Sequence, residues 1–160
     1  MKSADLKILC LILSLLVSNA IANELEPRGI RNNNPGNLRP DVWTGWPNAI
    51  NADEDGYIVF KRPIDGVRAI VINLNIYKKK HGINTVSGII NRWTNDISPE
   101  RRVSYIKFVS DNLGVYPDAI LNLDDALTLK KLTKSIIFYE NGIDPYSEKI
   151  YSSIFPYARD

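Results

Sequence analysis

Residues 28–39 read Arg28-Gly29-Ile30-Arg31-Asn32-Asn33-Asn34-Pro35-Gly36-Asn37-Leu38-Arg39. Seven of these twelve positions are Asn, Gly or Pro, and Arg28, Arg31 and Arg39 surround them. An ordinary surface turn needs one or two such residues, because Asn, Gly and Pro already satisfy turn geometry. A run this long, with apolar Ile30 and Leu38 set into it, predicts a structured polar loop. Two roles are open for its amides. They hold a partner or brace a cleft, or they close the loop on itself and touch no ligand.

Outward from this loop the chain becomes helical. Residues 23–56 are loop-rich, with Pro27, Pro35, Pro40, Pro47, Gly29, Gly36 and Gly45. Tyr57-Ile58-Val59-Phe60 follows Asp55-Gly56 and reads as a short strand that Pro63 ends. Asp65 is placed to cap a helix with Val67, Ile70, Val71, Leu74 and Tyr77 on one face, stopped by Gly82. Thr85 starts a shorter helix with Val86, Ile89, Ile90 and Trp93. Ser98-Pro99-Glu100 supplies a cap, a proline at the first helical position and an acid in the first turn. That helix runs through Val103, Ile106, Phe108, Val109 and Leu113 to Gly114. Asp124 is placed to cap the next, which carries Leu127, Leu129, Leu132, Ile136, Ile137 and Tyr139 and ends near Gly142. Ser147 begins a last short helix to Ile154. The expected fold is mainly α (α+β), one domain with a small β element and an extended loop layer.

Residues 1–22 have the form of a signal peptide. Lys2 and Lys7 give a basic start, Ile8 to Val17 is apolar, and Ala20-Ile21-Ala22 is a small-x-small cleavage site. The apolar run falls short of the ~20 residues that span a bilayer. Cleavage leaves residues 23–160, one domain's worth, with no membrane anchor. It also removes Cys10, the only cysteine, so the exported core holds without a disulfide. The absence of Asn-x-Ser/Thr sequons fits a bacterial periplasm or secretion by a bacterium.

The remaining residues 23–160 carry 18 basic and 17 acidic groups, a net charge of +1. Nucleic-acid binders carry a basic excess or stripe, so nucleic acid is not an expected partner. Lys78-Lys79-Lys80 is the one basic cluster, and it sits at a helix end, where cations offset the macrodipole.

A single histidine, His81, and no cysteine after cleavage leave nothing to build a zinc site or a nucleophilic triad, and no phosphate-binding glycine pattern occurs. No metal or cofactor is expected. Carboxylates remain. Glu140 closes the apolar helix Lys131-Leu132-Thr133-Lys134-Ser135-Ile136-Ile137-Phe138-Tyr139, and Asn141-Gly142 break that helix at once. The negative end of a helix dipole and apolar neighbours favour the protonated acid. A general acid needs that shift. An ordinary exposed glutamate at a fraying helix end has the same sequence signature.

The 28–39 stretch resembles the opening of a phage and prophage family of virion-type proteins. The likeness continues through Trp43-Thr44-Gly45, Gly66-Val67-Arg68-Ala69-Ile70, Tyr77, Gly82-Ile83-Asn84-Thr85, Ile89-Ile90-Asn91-Arg92-Trp93, Gly114-Val115 and Glu140-Asn141-Gly142. A second likeness is to lysozyme-like glycan cleavers. Ser135-Ile136-Ile137-Phe138-Tyr139-Glu140-Asn141-Gly142 is similar to the helix-ending Glu-Ser-Gly that holds the acid of lytic transglycosylases and flagellar-type glucosaminidases. Asn33-Asn34-Pro35-Gly36-Asn37-Leu38-Arg39 resembles an Asn-Asn segment that follows the acid in the glucosaminidases. Pro99-Glu100-Arg101-Arg102-Val103-Ser104-Tyr105-Ile106 resembles a later core helix of the transglycosylases. The acid comes first in those families and near the end here, which implies a circularly permuted lysozyme-like domain.

That resemblance implies an exported enzyme that cleaves peptidoglycan glycan strands as a lytic transglycosylase, with Glu140 as its one acid and base. It implies sugar-stacking roles for Trp43, Trp46, Tyr57 and Tyr139, with Trp93 as a further candidate or a core residue. It assigns Asn33, Asn34, Asn37 and Arg39 to N-acetyl and hydroxyl groups. A second carboxylate, if one acts, is to be sought among Asp53, Glu54, Asp55, Glu100 and Asp144. The virion-type likeness keeps an alternative, a non-catalytic wall-binding or virion protein with the same fold.

Overall fold

A computed structural model describes residues 26–40, 45–94 and 97–158. The signal segment and Trp43 lie outside the described residues. Among them are six helices and two strands. In chain order these are α1 (Arg28–Arg31), β1 (Ala49–Ala52), β2 (Ile58–Phe60), α2 (Pro63–His81), α3 (Val86–Trp93), α4 (Pro99–Leu113), α5 (Ala126–Asn141) and α6 (Glu148–Ile154). The fold is mainly α with a small antiparallel β element.

The helix boundaries follow local chemistry. Thr85 Oγ1 accepts from Gly88 N at 3.1 Å, and Ser98 Oγ accepts from Arg101 N at 3.3 Å. Each occupies an amide that has no carbonyl partner in a first helical turn. Two expected caps are corrected. Asp65 does not cap α2, which begins after Arg62 with Pro63 at its first position. Asp65 is instead buried in the first turn, held by Arg62 at 2.9 Å and by Asn48 at 3.0 Å. Asp124 does not cap α5. Asp125 does, accepting from Thr128 N at 2.7 Å, while Asp124 pairs across to Lys78 on α2.

α2, α3, α4, α5 and α6 surround the main core. Val67, Ile70, Leu74, Ile89, Ile90, Leu132, Ile136 and Ile137 are all fully buried in it. A smaller cluster of Leu38, Ile58, Phe60 and Ala69 lies under the β element. Trp93 packs against both clusters.

The Asn-rich loop completes the sheet. β1 pairs one edge of β2, with Ala52 opposite Ile58 and a bulge between Ala49 and Asn51. The other edge meets the loop. Ile58 N donates to Leu38 O at 3.0 Å, and Phe60 N donates to Asn32 O at 2.9 Å. The two carbonyls of that edge accept side-chain amides, Ile58 O from Asn34 at 2.9 Å and Phe60 O from Asn33 at 3.1 Å. Two amide side chains thus do what a third strand's N–H groups would do, and no buried strand carbonyl is left bare. The first turn of α2 closes over the back of this loop. A Cβ at Gly66 would stand 1.8 Å from the carbonyl oxygen of Asn33 and 2.9 Å from Pro35 Cδ.

This contact yields a prediction opposite in sign to the usual one. Gly to Ala inside a helix ordinarily stabilises by about 1 kcal/mol. Here the Cβ meets backbone, so Gly66→Ala should destabilise by about 3 kcal/mol. Urea unfolding measures it, and a midpoint at or above wild type would contradict the packing.

Candidate active site around Glu140

α5 delivers Glu140 to the Asn-rich loop. Its last residue, Asn141, is buried and donates from Nδ2 to Pro35 O and Ile137 O, both at 2.8 Å. The neighbouring Gly142 turns the chain away with φ +71°, a left-handed conformation that glycine adopts without a Cβ penalty. The helix end and the loop are therefore clamped together. Gly29 permits the fit, since a Cβ there would stand 2.3 Å from Asn141 Oδ1.

Two donors from two elements hold the Glu140 carboxyl. Asn37 Nδ2 donates to Oε2 at 3.1 Å, across 103 positions of sequence. The Tyr105 hydroxyl, from α4, donates to Oε1 at 3.1 Å. Tyr105 is 1% exposed, and its ring stacks on Tyr139 at 3.7 Å. Burial and the adjacent carboxylate push the Tyr105 pKa well above its ordinary value, so it stays a donor. Burial also raises the Glu140 pKa, against the lowering effects of the Asn37 and Tyr105 hydrogen bonds and of Arg101 and Arg28. Desolvation disfavours the charged form of a carboxyl, and here it wins.

Glu140 opens onto a cavity of about 330 Å³. Arg28, Asn37, Tyr57, Trp93, Arg101 and Tyr139 line it with Glu140. A second cavity of about 270 Å³ shares Gly36, Asn37 and Trp93 with the first, and adds Arg39, Trp46 and Arg92. The two form one groove with Asn37 and Trp93 at its waist. The Trp93 indole donates to Gly36 O at 3.2 Å, fixing that waist. Glu140 is the only carboxylate lining either compartment among the described residues. A larger cavity, about 700 Å³, lies on the opposite face of α4 between Val103 and Pro117. Its two charged residues, Lys107 and Asp111, pair with each other at 2.7 Å, so size alone does not mark the site.

The structure sorts the residues expected from sequence. Glu140, Asn37, Arg39, Trp46, Tyr57 and Tyr139 meet at the groove. Asn33 and Asn34 do not. Asn34 is fully buried, and its amide is spent on Leu38 O at 2.8 Å, Ile58 O at 2.9 Å and Leu38 N at 2.9 Å. Asn33 is spent on Phe60 O. Their expected sugar contacts are corrected to strand-edge contacts. Tyr57 lies beneath two guanidinium groups, Arg28 at 3.6 Å and Arg39 at 4.0 Å from the ring centroid, so cations occupy its ring. Trp46 keeps a buried indole N–H without a partner. Of the proposed second carboxylates, Asp53 caps the turn to Tyr57 at 2.7 Å and Asp55 pairs with Arg28 at 3.0 Å. Asp144 accepts from Tyr151 at 2.8 Å. Glu54, Glu100 and Asp144 line neither compartment.

Sequence reasoning missed Tyr105, Arg28 and Arg101 as site residues. Tyr105 stood inside the quoted Pro99–Ile106 segment, but nothing local shows that its hydroxyl reaches Glu140. Removing that hydroxyl has a signed consequence. The Tyr105 bond lowers the Glu140 pKa, so Tyr105→Phe raises it further. If Glu140 acts as an acid, activity is lost as pH climbs through its pKa, and Tyr105→Phe should move that alkaline limb upward while costing about 1 kcal/mol of stability. A limb that stays in place or moves down would remove Tyr105 from the acid's environment.

No family model matches the chain. Protein P5 of Pseudoalteromonas phage PM2 is 33% identical to it over 123 residues, which cover 75% of this chain and 74% of that protein. The chain belongs to the family of that phage protein.

Proposed function

We propose that this member of the phage Protein P5 family is an exported peptidoglycan-cleaving enzyme, a lytic transglycosylase with Glu140 as its single acid and base. The carrying observation is the state of Glu140. Burial keeps it toward the protonated form, two donors fix its orientation, and it stands in a groove with no other described carboxylate. Hydrolytic glycosidases generally need a second carboxylate to activate water or to attack the sugar. A transglycosylase does not.

In this reading Glu140 gives its proton to the oxygen bridging two sugars, and the bond from that oxygen to C1 breaks. The N-acetyl carbonyl of the muramic sugar supports the cationic carbon. The 6-hydroxyl of the same sugar then closes on C1 and returns its proton to Glu140. No water is consumed, and the acid ends as it began. Asn37 and Tyr105 hold the carboxyl through both steps. Trp46 and Tyr139 offer ring surface in the two compartments, and Arg39 and the Asn37 amide offer polar contacts. The permuted lysozyme-like arrangement draws support from the 103-position bond between Asn37 and Glu140. Moving an acid-then-loop order to loop-then-acid would keep such a contact. The signal-peptide pattern of residues 1–22 supports action in the periplasm or outside the cell.

Membership in a phage protein family favours one other reading, a virion or wall-binding protein that keeps the groove without turnover. A turbidity assay separates the two. The enzyme reading expects the wild type to clear a peptidoglycan suspension and Glu140→Gln to bind sacculi without clearing it. Equal binding and no clearing by either protein would favour the binder.

A further inference from the structure

We propose that the compartment beside Glu140 selects a glycan bearing a carboxylate next to the cleaved bond, with Arg101 and Arg28 as its receptors. This rests on the glycan-cleaving reading above and adds a substrate requirement to it. Both arginines line the 330 Å³ cavity, and Glu140 is its only described acid. Burial holds that acid toward neutrality, so within the compartment Arg101 has little to oppose its charge, and Arg28 is opposed by Asp55 alone. Arg28 keeps one arm on Asp55 at 3.0 Å, yet its Nε is buried and has no hydrogen-bond partner. Arg101 rises from the first turn of α4. Its charge acts on Glu140, but among the described residues no carboxylate pairs with it.

A guanidinium fork matches a carboxylate bidentately and remains charged at any working pH. A neutral sugar in the same place would leave Arg101 without a paired carboxylate, which works against it. Pairing Arg101 and Arg28 with a bound anion would also withdraw the two charges that pull the acid toward ionisation.

Two sources on a wall glycan supply the group: the lactyl carboxylate of a peptide-free strand, or the carboxylates of a stem peptide. Calorimetric titration of Glu140→Gln, which binds without cutting, distinguishes them. The probes are a peptide-free strand, the same strand with its stems, and a chitooligosaccharide of equal length. An acidic strand should bind about tenfold more tightly than the neutral one, with the advantage falling as salt rises. Adding Arg101→Gln should remove most of the advantage, bringing the acidic and neutral strands to within about twofold of each other. Arg101→Lys should keep part of it. Advantage for the peptide-free strand assigns the lactyl group, and advantage only with stems assigns the peptide. Equal affinity for all three, with wild type still cutting peptidoglycan, overturns this proposal alone. Absence of both binding and cutting overturns the enzyme reading and this proposal with it.

Discussion

Glu140→Gln should lower the rate of glycan cleavage by about 10²–10⁴-fold, the usual contribution of a positioned proton donor, while leaving the fold intact. Gln has the same shape and can still meet Asn37 and Tyr105, so the loss isolates the proton. The same variant carries a stability signature. The folded-state pKa of Glu140 lies above its ordinary value of 4.5 because of burial. The protein therefore binds that proton more tightly when folded. The stability this lends is complete below about pH 4.5 and is withdrawn as pH rises through the folded-state pKa. Above that pH, the ionised carboxylate is a cost that Gln does not carry. Glu140→Gln should thus melt at or above wild type near pH 8 and show no such advantage near pH 4. A variant that loses activity by melting lower at both pH values would mean that Glu140 is structural. Acids held at a cost to stability are common at active sites, where function and stability compete.

Asn34→Ala should cost about 3–4 kcal/mol and lower the melting point by about 10 °C. Its amide makes three hydrogen bonds in a fully buried place, two to carbonyls and one from Leu38 N. Alanine leaves all three partners unmade. Asn34→Asp should be worse near neutral pH, since it keeps the acceptor but sets a carboxylate against the carbonyls of Leu38 and Ile58. The gap between the two variants should narrow in acid, as the new carboxyl takes up a proton. Both should also reduce cleavage, because the loop that Asn34 closes carries Asn37 to Glu140. Thermal melts across pH check the order. If Asn34→Asp tolerated neutral pH better than Asn34→Ala, the assignment of the amide would be wrong.

These two residues also mark how far the sequence could be read. Helix ends written in local code were legible. Ser98-Pro99-Glu100, Thr85, Gly82, Gly114 and Gly142 all stand where capping chemistry puts them. Asp124 and Asp125 are adjacent and equally able to cap, and the choice was made by Lys78 on another helix. Asp65 was drawn inward, buried itself but paired with the exposed side chain of Arg62. β1 gave no signal because all four of its residues are exposed and show no alternation.

The site divides along the same line. Glu140 was visible because apolar residues precede it and Asn141-Gly142 stop its helix. The amides of the 28–39 loop were visible as a group, but their division of labour was not. An Asn that serves a strand edge and an Asn that serves a cleft have the same chemistry. Only β2, whose second edge has no strand beside it among the described residues, separates Asn33 and Asn34 from Asn37. Tyr105 was hidden for a similar reason. Its hydroxyl meets Glu140 only when α4 packs on α5, and no local pattern records that contact.

The most direct test is the mass of what the protein releases. Purified peptidoglycan is digested with the wild type and with Glu140→Gln, and the soluble muropeptides are weighed. The account predicts 1,6-anhydro ends from the wild type, lighter by one water than hydrolytic products, and none from the variant. Reducing ends would contradict the single-acid mechanism and call for a second carboxylate. No released fragments from the wild type would contradict the central claim that this groove cleaves glycan.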